Sequence, residues 1–131
     1  MRILLDSTVI IDALRDRLER RRLLRALVEE GHELACCAIN VAEVYAGMRP
    51  HEKAATAELI DGLEYIDISR EAARDAGELR LEWRRKGKTL SLPDALLGAV
   101  ALRSGLTLAT DNVRHFPMLG LKLLPLPGAS I

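Results

Sequence analysis

Two short apolar runs in the chain stop at a carboxylate: Ile3-Leu4-Leu5 meets Asp6, and Leu106-Thr107-Leu108-Ala109-Thr110 meets Asp111. Runs of this length, bounded by polar residues, predict buried strands. Leu34-Ala35-Cys36-Cys37-Ala38 and Tyr65-Ile66-Asp67-Ile68 predict two more, and residues 121–126 a last one, at an edge because of Pro125. Helical periodicity fills the intervals. Val9, Ile10, Ala13 and Leu14 mark a face after Asp6, and Leu18, Leu23, Leu24, Leu27 and Val28 continue a helical region to Gly31. Asn40 is placed to cap a helix carrying Val41, Val44, Tyr45 and Met48, which Pro50 ends; another helix spans about 51–62. Ser69 opens a long helix to about Arg85, closed by Gly87. Ser91 caps a helix from Leu92 to Ser104 that is apolar on every face after Asp94, so it is expected to be buried on most sides. Strands separated by helices require crossover connections, so the fold class is α/β with a mostly parallel sheet.

Composition bounds the rest. A chain of 131 residues, 49% hydrophobic and 29% charged, reads as one folded domain over 1–131 and excludes disorder and rod-like repeats. The longest apolar stretch, Ala95 to Leu102, is far short of the ~20 residues a spanning helix needs. Ile3-Leu4-Leu5 also meets Asp6 too soon to form a signal-peptide core, so a cytoplasmic protein with no membrane contact is expected. Adjacent Cys36 and Cys37 suit neither a normal disulfide nor a zinc site and read as small buried hydrophobes.

Nineteen basic residues balance nineteen acidic ones, so any nucleic-acid footprint must be local. Arg15, Arg17, Arg20, Arg21, Arg22 and Arg25 form one group; Arg80, Arg84, Arg85, Lys86 and Lys88 form another. Glu19, Glu29, Glu78 and Glu82 are interspersed, so each group reads either as a solvated helix face or as a set of phosphate contacts. With one Trp, two Tyr and one Phe, base stacking is scarce, and backbone contacts would carry such affinity.

The candidate chemistry lies in carboxylates. Asp6 and Asp111 fall at strand ends, where open parallel sheets hold ligands, although Asp also serves there as a turn former or helix cap. Glu43, among Val41, Ala42, Val44, Tyr45 and Ala46, reads as a buried acid in need of a partner, or as half of an N-x-x-E cap with Asn40. Asp94 in Ser91-Leu-Pro-Asp94 fits a capping box equally well. Should these elements share one sheet edge, three or four carboxylates converge, which requires a cation or raised pKa values. Oxygen donors without His or Cys favour magnesium or manganese, and the chemistry best served is phosphoryl transfer with an activated water. His115, near Asp111, is able to approach this edge, whereas His32 and His51 read as loop residues.

Four pieces, in this order and spacing, resemble the PIN-domain ribonucleases, and specifically the toxin subunits of VapBC-type toxin–antitoxin pairs: Leu4-Leu5-Asp6-Ser7-Thr8-Val9-Ile10, Asn40-Val-Ala-Glu43-Val-Tyr-Ala-Gly47, Leu92-Pro-Asp94-Ala-Leu-Leu-Gly-Ala-Val-Ala and Leu108-Ala-Thr110-Asp111-Asn112-Val-Arg-His-Phe116. The resemblance covers essentially the whole chain. It implies a PIN-like three-layer fold, a mostly parallel sheet of four or five strands with helices on both faces. It also implies a Mg²⁺- or Mn²⁺-dependent endoribonuclease, cleaving RNA by water attack on a phosphodiester, with a cognate antitoxin as partner; a homodimer is the expected assembly. Carried over, Asp6, Glu43 and Asp94 match the family's acidic positions and would hold the metal. The last acid of many relatives falls at Asn112, so Asp111, a neutral amide or a water would complete the site. Thr8 and Thr110 match hydroxyl positions near the family site, as water-orienting groups. Arg80, Arg84 and Arg85 are the candidate RNA contacts. A haloacid-dehalogenase-like phosphatase would need a second Asp where Thr8 stands, and a receiver domain a Lys close after Leu108, where none occurs before Lys122. A non-catalytic PIN-like RNA- or protein-binding module is the alternative from another class.

Overall fold

The computed structural model describes residues 1–130. Its elements follow the order β1 (Arg2–Leu5), α1 (Ser7–Leu14), α2 (Arg20–Glu29), β2 (Glu33–Cys37), α3 (Ala38–Gly47), α4 (Lys53–Asp61), β3 (Glu64–Ile66), α5 (Arg70–Arg85), α6 (Leu92–Ser104), β4 (Thr107–Asn112) and β5 (Leu123–Ser130), with short 3₁₀ turns at Pro50–Glu52 and Val113–His115. All pairings in the five-stranded sheet are parallel, in the order β3-β2-β1-β4-β5.

The period-2 alternation of strand side chains divides the core in two. Ile3 and Leu5 of β1, with Leu34, Cys36 and Ala109, pack under α1 to α4 through Val9, Ile10, Ala13, Leu24, Leu27, Val44 and Ile60. Leu4, Ala35, Cys37 and Leu108 point the other way, against Ala72 of α5 and Leu97, Val100 and Ala101 of α6. Strands buried on both faces account for their unbroken apolar runs. Both cysteines are free and buried, as expected. None of the described helices is long and apolar enough to cross a membrane.

Three expectations need correction. The helical region after Asp6 breaks at 15–19, where Asp16, Leu18 and Glu19 adopt left-handed backbone (φ 53°, 52° and 55°), a conformation that costs non-glycine residues energy. Leu18, read as part of a helical face, is 61% exposed in that break. Asn40 does not cap α3. The helix starts earlier, with Cys37 as N-cap, and Asn40 sits at its third position, where its Oδ1 accepts from the Cys37 amide. Glu43 is exposed on α3, because Ala42, Ala46 and Gly47 share its open side; the apolar neighbours are small residues facing outward, not a buried wall.

Chain order positions the site. From β1 the chain moves outward to β2 and β3, then α5 and α6 return it across the sheet to β4 on the other side of β1. The reversal leaves a crevice beyond the carboxyl ends of β1 and β4, where such sheets hold their ligands.

Candidate active site

Asp6 occupies the N-cap position of α1 yet makes no capping hydrogen bond. Its carboxylate, only 7% exposed, instead takes a 2.7 Å hydrogen bond at Oδ2 from the Thr110 hydroxyl across the β1–β4 seam. The seam is closed by the Asp6 amide, which donates to the Ala109 carbonyl at 2.9 Å. Burial pushes the Asp6 carboxyl above its ordinary range, and the nearby carboxylates of Asp94 and Glu43 push it further the same way; hydrogen bonds from Thr110 and the Ser7 amide oppose the rise. Asp6, Asp94 and Glu43 therefore face one another electrostatically.

Asp94 is placed by the first turn of α6. Ser91 Oγ accepts from the Asp94 amide at 3.2 Å, so the serine supplies the cap, and the Asp94 carboxylate is left facing the crevice. His115 of the 113–115 turn brings Nδ1 to within 3.4 Å of Asp94 Oδ2. Lys88 secures that turn by donating to the Arg114 carbonyl. Glu43 reaches the same region from α3, where its Oε1 accepts a 2.8 Å hydrogen bond from Ser7 Oγ.

Other expected residues lie differently. Asp111, next along β4 from Thr110, points to the opposite face and pairs at 2.5 Å with the almost fully buried Arg20. That guanidinium also donates to the carbonyls of Pro127 and Leu18. Asn112 approaches through its backbone, its amide donating to Thr110 Oγ1 at 2.9 Å. Thr8 is exposed, and the hydroxyl that reaches an acid from this turn belongs to Ser7. Arg80 spends its Nε on the Leu90 carbonyl, while Arg84 and Arg85 are exposed and form no ion pair among the described residues. Sequence reasoning passed over the Ser7 hydroxyl and read Asn40 only as a helix cap and Arg20 only as one of a basic group. An Asn inside the apolar stretch from Cys36 to Val44 was the available signal.

The donor set is oxygen-only. Among the described residues no three His, Cys, Asp or Glu side chains stand close enough to enclose an ion by themselves. Oxygen donors of this kind suit Mg²⁺, which uses one or two carboxylates and completes its shell with water and substrate phosphate.

An open parallel sheet with acids gathered beyond the strand ends at its switch point defines an α/β protein of the ligand-binding, doubly wound class, and sequence comparison narrows it. Residues 3–118 match the PIN domain, and the chain belongs to that family. It is 32% identical over 115 residues to Ribonuclease VapC19 of Mycobacterium tuberculosis, an alignment covering 88% of this chain and 92% of that one. Its fold is similar to VapBC2 from Rickettsia felis, solved bound to a promoter DNA fragment, with TM-score 0.85, 24% identity and coverage of 97% and 100% of the two chains. A toxin–antitoxin complex from Klebsiella pneumoniae also matches, with TM-score 0.77, 28% identity and coverage of 93% and 95%.

Proposed function

We propose that this protein is the toxin of a type II toxin–antitoxin pair, a Mg²⁺- or Mn²⁺-dependent endoribonuclease whose site is Asp6, Glu43 and Asp94, acting in the cytoplasm. The observation that carries the reading is the buried Asp6 carboxylate, held by Thr110 and raised in pKa beside two further acids. A buried acid with like charges as neighbours is costly to fold and is retained where a cation or reaction uses it. Kinship with a named ribonuclease supplies the substrate class.

Asp6, Glu43 and Asp94 would share the cation with water and substrate phosphate rather than enclose it, with Thr110 fixing the orientation of Asp6 from behind. When bound, the ion supplies a water acidic enough to attack at neutral pH and offsets charge on the phosphate. His115, exposed beside Asp94, is placed to contact a phosphate oxygen or a departing group at the rim. Arg84 and Arg85, exposed at the end of α5, would carry the RNA backbone, with Arg80 anchoring that helix to the segment before α6. The partner expected by kinship is a cognate antitoxin, with a basic side chain able to stand in for the cation among the acids. A homodimer is the assembly expected.

Purified protein should cleave single-stranded RNA with Mg²⁺ or Mn²⁺ and stop with EDTA, and Asp94→Asn should fold yet lose most of the activity. Binding of RNA without metal-dependent cleavage would replace this reading with a non-catalytic PIN-like module.

A further inference from the structure

Asn40, in the first turn of α3, is completely buried against the ends of β1 and β2, and every polar atom of its side chain is used. Its Oδ1 accepts from the Cys37 amide at 2.8 Å; its Nδ2 donates to the Leu5 carbonyl at 2.9 Å and to Ser7 Oγ at 3.1 Å. These partners fix the orientation of the amide. A backbone N–H only donates and a backbone carbonyl only accepts, so the oxygen must face Cys37 and the nitrogen must face Leu5 and Ser7. Ser7 then receives a hydrogen bond, and its single hydroxyl proton is directed to Glu43 Oε1, 2.8 Å away. The donor chain runs from the Cys37 amide at the end of β2 through Asn40 and Ser7 to the exposed acid on α3, while the Leu5 carbonyl at the end of β1 takes the other amide proton of Asn40.

We infer that Asn40, acting through Ser7, is a positioning residue that aims Glu43 at Asp6 and Asp94; this deepens the proposed nuclease site and rests on it. Glu43 stands on an exposed helix face, where a free glutamate would sample several rotamers. Holding Oε1 leaves Oε2 without a hydrogen-bond partner among the described residues and so available to a ligand, and groups behind a ligand commonly change metal affinity or activity by about 10–100-fold. The buried amide thus turns a mobile surface acid into a fixed one.

The test is a double-mutant cycle on the full chain, with Mn²⁺ affinity measured by calorimetry and RNA cleavage measured alongside. Ser7→Ala should weaken Mn²⁺ binding about tenfold and lower kcat with little change in KM, whereas Ser7→Thr, which keeps the hydroxyl, should stay near wild type. In a Glu43→Ala background, Ser7→Ala should change Mn²⁺ affinity no further. Asn40→Asp should reproduce the Ser7→Ala defect, because a carboxylate there cannot donate to Ser7. The same cycle in metal-free melting temperature reads the Ser7–Glu43 bond without any ion. Equal losses in both Glu43 backgrounds, or no coupling in the metal-free melts, would overturn the inference. Coupling without RNA cleavage by the wild-type protein would instead remove the nuclease reading and leave the positioning role standing.

Discussion

Asp6 shows how one side chain links stability to chemistry. The folded protein holds its proton more tightly than the unfolded chain does, so its contribution to stability is full below the ordinary carboxylate pKa. That contribution is lost as pH rises through the raised folded value. Asp6→Asn, which still accepts from Thr110, should therefore melt higher than wild type at neutral pH in EDTA, with the advantage disappearing in acid. The same variant should lose RNA cleavage. Mg²⁺ or Mn²⁺ should raise the melting temperature of wild type and have little effect on Asp6→Asn, since an ion stabilises only the state that binds it. Asp94 admits the same comparison. Its cap is supplied by Ser91, so Asp94→Asn should be neutral or stabilising without metal, whereas Ser91→Ala should cost about 0.5–2 kcal/mol in a denaturant titration. Asp6 and Asp94 were legible as acids at element ends, whereas Glu43, in the middle of α3, was legible only as an acid among apolar neighbours. Ser7 and Asn40 were not, because their importance lies in which atoms they face across β1 and β2.

Between elements, the α1–α2 connection is held by a buried ion pair. Arg20 has one hand on Asp111 of β4 and Pro127 of β5, and the other on Leu18 in the left-handed stretch. The pair anchors a costly backbone conformation to the far side of the sheet. Arg20→Met leaves Asp111 as a largely buried charge without its partner and should lower stability by about 3–5 kcal/mol in urea titration. Asp111→Asn on that background should return part of the loss; a further loss would show that Asp111 has another use. Element positions were well encoded, since the strands and the two long helices follow apolar period and the serine caps at 69 and 91. What misled was local. Arg20 reads as one more arginine in a basic run, and only the fold reveals that it is interior. The acid at 111 looks equivalent to Asp6 in one dimension, but β alternation sends it to the other face.

For the molecule as a whole, zero net charge leaves RNA attraction to a local patch. Arg84→Ala and Arg85→Ala should weaken RNA binding alike for all sequences, each lowering the slope of log affinity against log salt by roughly 0.7, with Mn²⁺ affinity intact. An unchanged slope would assign them to an ordinary solvated helix face. The α/β class and parallel sheet followed from strand–helix alternation alone; the order β3-β2-β1-β4-β5 did not, because it depends on where the α5–α6 crossover returns the chain. That order has a consequence during synthesis. Asp6 is among the first residues made, while Asp94 and the Thr110 hydroxyl that locks Asp6 come much later, and β1 lies unpaired on one side until β4 arrives. A growing chain holding residues 1–90 owns Asp6 and Glu43 but neither Asp94 nor Thr110, so the proposed acidic centre cannot form until the last third of the chain is made. A chain stalled at residue 90 should therefore cut no RNA even where the released full chain does.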